Sequence, residues 1–359
     1  MKKFLNWSLL LPIVAWLAYF LGWAEGSQIV QIITGALLIG AVLAAVHHSE
    51  VIAARVGEPF GTILLAVAIT VIEVALIIAL MMSGGEKALY LARDTVFSAV
   101  MLILNAIIGI CILVGSAKHF EQSFQKESVN TALVSLIAIL VLTLILPNYT
   151  TSVSGPQYSE AQLIFIAFAC LAIYGTFLLV QTVRHKNYFL NQTEGGEEII
   201  VHGEVTPTNT KVTLSLIFLL ISLAVVVLLA KAFSPTIEAA VIEAGLPTSL
   251  VGVLIAAVVL LPEGMAAIIA ARKNNLQVSL NLALGSALAS IGLTIPSVVF
   301  VSRLFGLNVV LGLDTKSMIL LGLSVFTVML SLSKGKTNIL YGVVLLVNLV
   351  AYVFTVIFP

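Results

Sequence analysis

Two carboxylates sit where carboxylates are costly. The stretch 57–82, GEPFGTILLAVAITVIEVALIIALMM, is apolar over the thickness of a bilayer and carries Glu73 near its middle. The stretch 248–272, TSLVGVLIAAVVLLPEGMAAIIAAR, carries Glu263 in the same way. Neither apolar part contains a Lys or Arg to balance the charge. An uncompensated charge at the centre of a spanning helix costs about 2.5–3.5 kcal/mol even on the lenient insertion scale. Each glutamate therefore calls for a proton or a cation as its partner. Two carboxylates sharing a low-dielectric site are satisfied by protons or by a divalent cation, and poorly by neither.

The neighbouring residues suit a cation. Pro262 removes a backbone donor beside Glu263 and frees a carbonyl one turn upstream. Thr70 lies one turn before Glu73, and Pro59, Gly61 and Thr62 open that helix. The run after the first glutamate supplies Thr95, Ser98 and Asn105; the run after the second supplies Ser279, Asn281, Ser286, Ser290 and Thr294. Ser286 and Ser290 are four apart and share a helix face. Gly285, Ala287, Ala289 and Gly292 permit a close helix approach. Thr70, Ser98, Asn105, Asn281, Ser286 and Ser290 are thus candidates to line a site whose cation- and proton-binding groups are Glu73 and Glu263. Hydroxyls and small residues also serve packing alone in membrane helices, and this reading stands beside the first. A donor set of hard oxygens fits transported Ca²⁺, Na⁺ or K⁺ better than Zn²⁺ or Cu, with no resident cofactor.

The elements that must position these groups are membrane helices. The chain has 359 residues, 60% hydrophobic and 9% charged, with a mean hydropathy of +1.15. Soluble domains carry about 25% charged residues. Net charge is zero, so a basic nucleic-acid surface is not indicated. Cys111 and Cys170 lie inside apolar runs, against a disulfide framework. Runs of bilayer length fall near 5–23, 28–48, 58–82, 95–117, 129–147, 160–183, 211–232, 247–271, 276–301, 313–332 and 337–358. The first is too long for a signal-peptide core and reads as a spanning helix. These runs predict an all-α polytopic membrane protein of eleven transmembrane helices.

Lys and Arg set the orientation. With the N-terminus cytoplasmic, the inner segments hold twelve of them and the outer segments five. With the extra helix (1–27) set aside, five helices lie in 28–183 and five in 211–359, joined by the acidic hinge 184–210. An odd number of helices per half inverts the second relative to the first, the plan of many secondary transporters. Each glutamate falls in the second helix of its five. Glu194, Glu197, Glu198 and Glu204 make the hinge a candidate cytoplasmic regulator, although solvated linker charge is the simpler reading. His47 and His48 beside Glu50 suggest a pH sensor or, more simply, interfacial solvation. No phosphate loop, paired nucleophile and base, or HExxH motif is present, so an ATP-driven pump or a membrane enzyme is not indicated.

The stretches GEPFGTILLAVAITVIEVALI and LLPEGMAAIIAARKNNLQVSLNLALGSALASIGLTIP resemble the two repeat motifs of the cation/calcium antiporter superfamily. More narrowly, they resemble those of ChaA-type bacterial calcium/proton antiporters. The resemblance covers essentially the whole chain. It implies that Glu73 and Glu263 bind cation and protons alternately, and that Asn105, Gly285 and Ser286 belong to helices lining the site. It also implies that the hinge contains an acidic cytoplasmic helix. Related exchangers often place Asn three residues before each glutamate, where Thr70 and Leu260 stand here. Val100 and Met101 replace the Gly-Ser pair of the first repeat. Calcium/proton exchange is the first expectation. Na⁺ or K⁺ exchange for protons, and a passive cation channel, remain alternatives. Short connectors suggest a prokaryotic plasma membrane, with lipid as the surrounding partner and homo-oligomerisation left open.

Overall fold

The computed structural model describes residues 7–56, 60–81, 89–189, 207–247 and 249–358. They form eleven helices: α1 (Trp7–Phe20), α2 (Gln28–Val56), α3 (Phe60–Met81), α4 (Leu91–His119), α5 (Lys126–Tyr149), α6 (Glu160–Arg184), α7 (Asn209–Glu243), α8 (Ser249–Arg272), α9 (Leu276–Phe305), α10 (Thr315–Leu332) and α11 (Ile339–Ile357). Among the described residues, nine of these are long and apolar enough to cross a membrane; α1 is a shorter apolar helix. The protein is an all-α polytopic membrane protein. Two-residue strands, β1 (Gln122–Ser123) and β2 (Lys336–Thr337), are a small departure from that class.

Local sequence explains several helix starts. Ser159 and Gln162 form a reciprocal capping box at α6. Asp314 and Asn338 accept backbone N–H groups at the starts of α10 and α11, and Asn275 does so at α9. Other boundaries differ from the apolar runs. α7 continues through Pro235 to Glu243, so Lys231 lies within a helix and not in an outer connector. α4 contains a π-helical segment, Leu102–Ile107, at its centre.

The helices divide into two compact units that cut across the two sequence halves. α1, α2, α3 and α7 form the first. Within it α2 lies along α7 and α1, and α3 packs on α2 and α7. The Trp16 indole donates to Ile221 O at 3.2 Å.

The second unit contains α4, α5, α6, α8, α9, α10 and α11. α9 packs along α6, and α11 along α4. Glycines set both approaches. A Cβ on Gly292 would stand 3.0 Å from Tyr174 Cβ, and one on Gly109 3.1 Å from Leu345 Cβ. α4 and α9 are the most buried spans of this unit. Its connectors sort to two ends. At one, Lys118 Nζ and His119 Nε2 reach Arg272 O, Gln122 donates to Ala271 O at 2.9 Å, and β1 pairs with β2. At the other, Arg93 donates to Gly312 O at 2.9 Å, Leu313 N to Leu144 O at 2.9 Å, and Arg303 pairs with Glu160 at 3.0 Å. This grouping matches the alternation obtained by counting helices.

Candidate functional site

α3 presents its two polar candidates to protein and not to lipid. Glu73 is 5% exposed and Thr70 4% exposed, on a face shared with Ile77. Val67 and Val71 occupy the exposed face. Spacing explains the division: 70, 73 and 77 follow the three- and four-residue steps of one helix side. Glu73 is therefore on the buried side of a helix that packs on α2 and α7.

In the second unit, Glu263 is half-buried on α8, on the side that also buries Val259, Leu260 and Ala267. α8 runs unbroken through Pro262, which cannot donate to the carbonyl four residues earlier. α8 lies against α4 at two glycines. A Cβ on Gly252 would lie 3.5 Å from the backbone of Asp94, and one on Gly264 would lie 3.4 Å from Ile107 Cδ1. Because both contacts advance together along the chain, α8 and α4 run in the same direction. The residue next to Glu263 thus touches the π-helical turn of α4. π-turns are often found at functional sites.

Asn105 lies in that turn and is fully buried. Its Nδ2 donates to Met101 O at 3.0 Å and to Ser324 Oγ at 2.9 Å. A carbonyl can only accept, so the amide orientation is fixed. Oδ1 is then left as a buried acceptor with no hydrogen-bond partner among the described residues. Such a group is costly unless something else satisfies it.

The other candidates separate. Ser290 is buried on α9, four residues after the half-buried Ser286. A side chain at the adjacent Gly285 would meet no atom within 4 Å, so this stretch of α9 borders open space. Ser98 instead ties α4 to α11. Its Oγ donates to Asp94 O at 2.6 Å and lies 2.8 Å from Tyr352 Oη. Asn281 belongs to the connector end of the unit, donating to Phe189 O at 2.8 Å and accepting from Gln277 Nε2 at 2.9 Å. Gln277 in turn donates to Ser128 at 2.7 Å. Glu194, Glu197, Glu198 and Glu204 lie outside the described residues.

Sequence reasoning missed two polar nodes and misplaced a third. Ser324 and Tyr352 looked like ordinary residues of amphipathic helices, with no spacing signal to mark them. His48 is 3% exposed, so interfacial solvation does not describe it. Its Nε2 lies 3.1 Å from Ser8 O and its Nδ1 3.3 Å from Ser215 Oγ, joining α2 to α1 and α7. His47 lies beside Trp7, with ring centroids 5.5 Å apart and planes tilted by 48°.

A profile of the sodium/calcium exchanger protein family matches residues 27–183 and again 214–358. The protein y4hA of Sinorhizobium fredii (strain NBRC 101917 / NGR234) is 46% identical over 320 residues, covering 89% of this chain and 86% of its own. The sodium-potassium/proton antiporter ChaA of Escherichia coli (strain K12) is 30% identical over 355 residues, covering 97% and 95%. Among solved structures, native YfkE superposes with a TM-score of 0.72 at 18% identity, covering 98% of this chain and 100% of its own. At that identity the likeness speaks to fold.

Proposed function

The chain belongs to the sodium/calcium exchanger protein family, and we propose that it is a proton-coupled cation antiporter in which Glu73 and Glu263 take up Ca²⁺ and protons in turn. It is a secondary transporter, not an enzyme. The observation that carries the reading is the placement of single carboxylates in two apolar helices, Glu73 on the buried face of α3 and Glu263 half-buried on α8. Two carboxylates are neutralised by one divalent cation or by two protons. A deprotonated and empty pair would expose uncompensated charge to low dielectric while the site changes sides. The empty crossing is thereby suppressed, and the two loaded crossings together make an exchange. Thr70, Asn105, Ser286 and Ser290 supply neutral oxygens to this scheme, with Asn105 Oδ1 as the strongest of them because its acceptor capacity is unspent.

The inverted five-helix repeat is part of the proposal. Three observations support it. The family profile matches twice, over ranges close to 28–183 and 211–359. Exchanging the halves turns the α4–α11 packing into the α9–α6 packing and returns α2–α7 to itself. Finally, α4 and α8 run in the same direction, as the helix count requires. We place the N-terminus in the cytoplasm of a prokaryote, with the protein in the plasma membrane, on the distribution of Lys and Arg.

A second reading replaces Ca²⁺ with Na⁺ or K⁺. It is favoured by the name of the 30%-identical ChaA relative and by Thr70 and Leu260 where related exchangers often carry Asn. A monovalent ion neutralises one carboxylate only, so this version needs a proton retained on the other. Purified protein in liposomes under an imposed pH gradient separates the readings. Collapse of the gradient on adding Ca²⁺, lost in both Glu73→Gln and Glu263→Gln, is the expected result. Collapse by Na⁺ or K⁺ alone reassigns the ion. Full activity in both variants, or cation flux indifferent to the proton gradient, would sink the exchange mechanism, the latter in favour of a channel.

A further inference from the structure

One exposed and strained feature has no part in cation exchange. α4 ends at His119, and Phe120 follows with φ 64° and ψ −65°. Glu121 N donates to His119 O at 2.8 Å across it, closing a three-residue γ-turn of the rare, strained kind. A bulky side chain at positive φ is an outlier that surrounding structure has to impose. The turn leaves Phe120 87% exposed, more than any other large apolar side chain among the described residues. Glycine would relieve the backbone, and a polar residue would be better solvated. Neither is used.

The surroundings of Phe120 are cationic. The segments meeting at this end of the second unit carry Lys118, Lys126, Arg272, Lys273, Lys334 and Lys336, all exposed. Opposing them in the same segments are Glu121 and Glu127. None of the six cations is in an ion pair among the described residues. They are drawn together by contacts between these segments. Lys118 donates to Arg272 O at 3.2 Å, Gln122 pairs with Thr337 across the strand ribbon, and Gly335 lies against the Lys126 stem. All of this lies at the ends of membrane helices, where one side of the surface faces phosphate headgroups.

We propose that Phe120 and these cations form a docking surface for anionic phospholipid, the ring entering the interfacial region while Lys118, Lys273 and Lys336 meet phosphate oxygens. Aromatic rings settle at headgroup depth, and Lys stems reach outward from it with their charge in the polar layer. A surplus of cations near a membrane attracts anionic lipid in proportion to their number. An acidic protein partner would be drawn by the same charge, but an exposed apolar ring at a helix end is better matched by the bilayer surface.

The test uses full-length Phe120→Trp and wild-type protein in vesicles of phosphatidylcholine, with either phosphatidylcholine or phosphatidylglycerol brominated on its acyl chains. The difference in emission between the two proteins reports position 120 and cancels Trp7, Trp16 and Trp23. The expected result is blue-shifted emission, quenched more strongly by brominated phosphatidylglycerol. In Lys118→Gln/Lys273→Gln/Lys336→Gln that preference falls by about fivefold for each charge removed. Emission as in water, quenched by neither lipid, overturns the docking and leaves a protein partner. Equal quenching by both lipids overturns the anionic-headgroup assignment. Phe120→Gly adopts the turn without strain, so it is expected to fold and yet lose preferential retention of phosphatidylglycerol through purification. Undiminished retention also refutes the proposal.

Discussion

Gly342→Ala tests the packing on which the second unit depends. A Cβ at this position would lie 2.7 Å from Leu113 N, 2.9 Å from Gly109 O and 3.0 Å from Leu113 Cα. All three are backbone atoms, so no rotamer change relieves the contact. Restoring an ordinary separation of 3.4 Å requires α4 and α11 to part by about 0.7 Å at the crossing. A gap of that size forfeits about a quarter to a half of the dispersion energy of each contact it opens. The bridge from Ser98 to Tyr352, 2.8 Å long, crosses the same pair of helices and is strained with it. Overpacking of this kind costs about 1–3 kcal/mol. Alanine is also the better helix former by up to about 1 kcal/mol, so a control must carry that gain without the clash. Gly322→Ala on α10 does so, since a Cβ there meets nothing within 4 Å. At about 2 °C per kcal/mol for a chain of this size, the two variants should differ in Tm by ~2–6 °C in the same detergent, with Gly342→Ala the lower. Equal Tm values would mean that the α4–α11 approach is not tight, and the argument from glycine would fail.

Other outcomes follow from the polar groups. Asn105→Leu removes an unspent acceptor while keeping volume, and a hydrogen bond to a charged group is worth about 1.5–3 kcal/mol; the apparent KM for the cation should therefore rise about tenfold or more. An unchanged KM, in protein with wild-type Tm, would remove Asn105 from the site. Ser98→Ala and Tyr352→Phe should couple in a double-mutant thermal-stability cycle by about 0.5–1.5 kcal/mol, and additivity would show that their 2.8 Å contact contributes nothing. Burial pushes the Asp314 carboxyl up, but the Ser317 hydroxyl and amide and the Lys316 ammonium outweigh it and hold the group below its usual range. Its folded pKa is thus the lower one, so the cap stabilises α10 above the unfolded value and loses that contribution as pH falls through the folded value. The protection of the Ser317 and Met318 amides, taken relative to intrinsic exchange at each pH, should fall on acidification in wild type and stay flat in Asp314→Asn; the same fall in both would refute the assignment.

The apolar runs were legible because lipid forces every span to read as a long hydrophobic block, and each of the eleven runs falls on a helix. Glu73 and Glu263 were legible for the same reason, since a carboxylate inside such a block stands out against it. What escaped notice depends on tertiary contact. The π-turn at Leu102–Ile107 has no marker in LILNAI, because an inserted residue is accommodated by neighbours and not announced by Gly or Pro. Ser98, Asn105 and Asn281 look alike in sequence, yet one bridges to Tyr352, one keeps a spare acceptor, and one closes a network with Gln277 and Phe189. Pro235 removes a backbone donor and commonly ends or kinks a helix, but α7 continues through it for about two more turns to Glu243. The division into units was hidden as well, because the order of helices along the chain does not say which of their faces meet.

The contacts made by α4 bear on how the protein is made. Ser98 finds Tyr352 across 254 positions of chain, and Asn105 finds Ser324 across 219. β1 likewise has nothing to pair with until β2 has been translated. During synthesis α4 therefore enters the bilayer long before its packing surface exists, with an asparagine and a serine turned toward lipid or toward the insertion machinery. Insertion and assembly are thus separate stages for this helix. Its mean apolar character has to carry the first stage alone, while the serine, asparagine and glycine positions that make the second stage specific have to wait for α10 and α11.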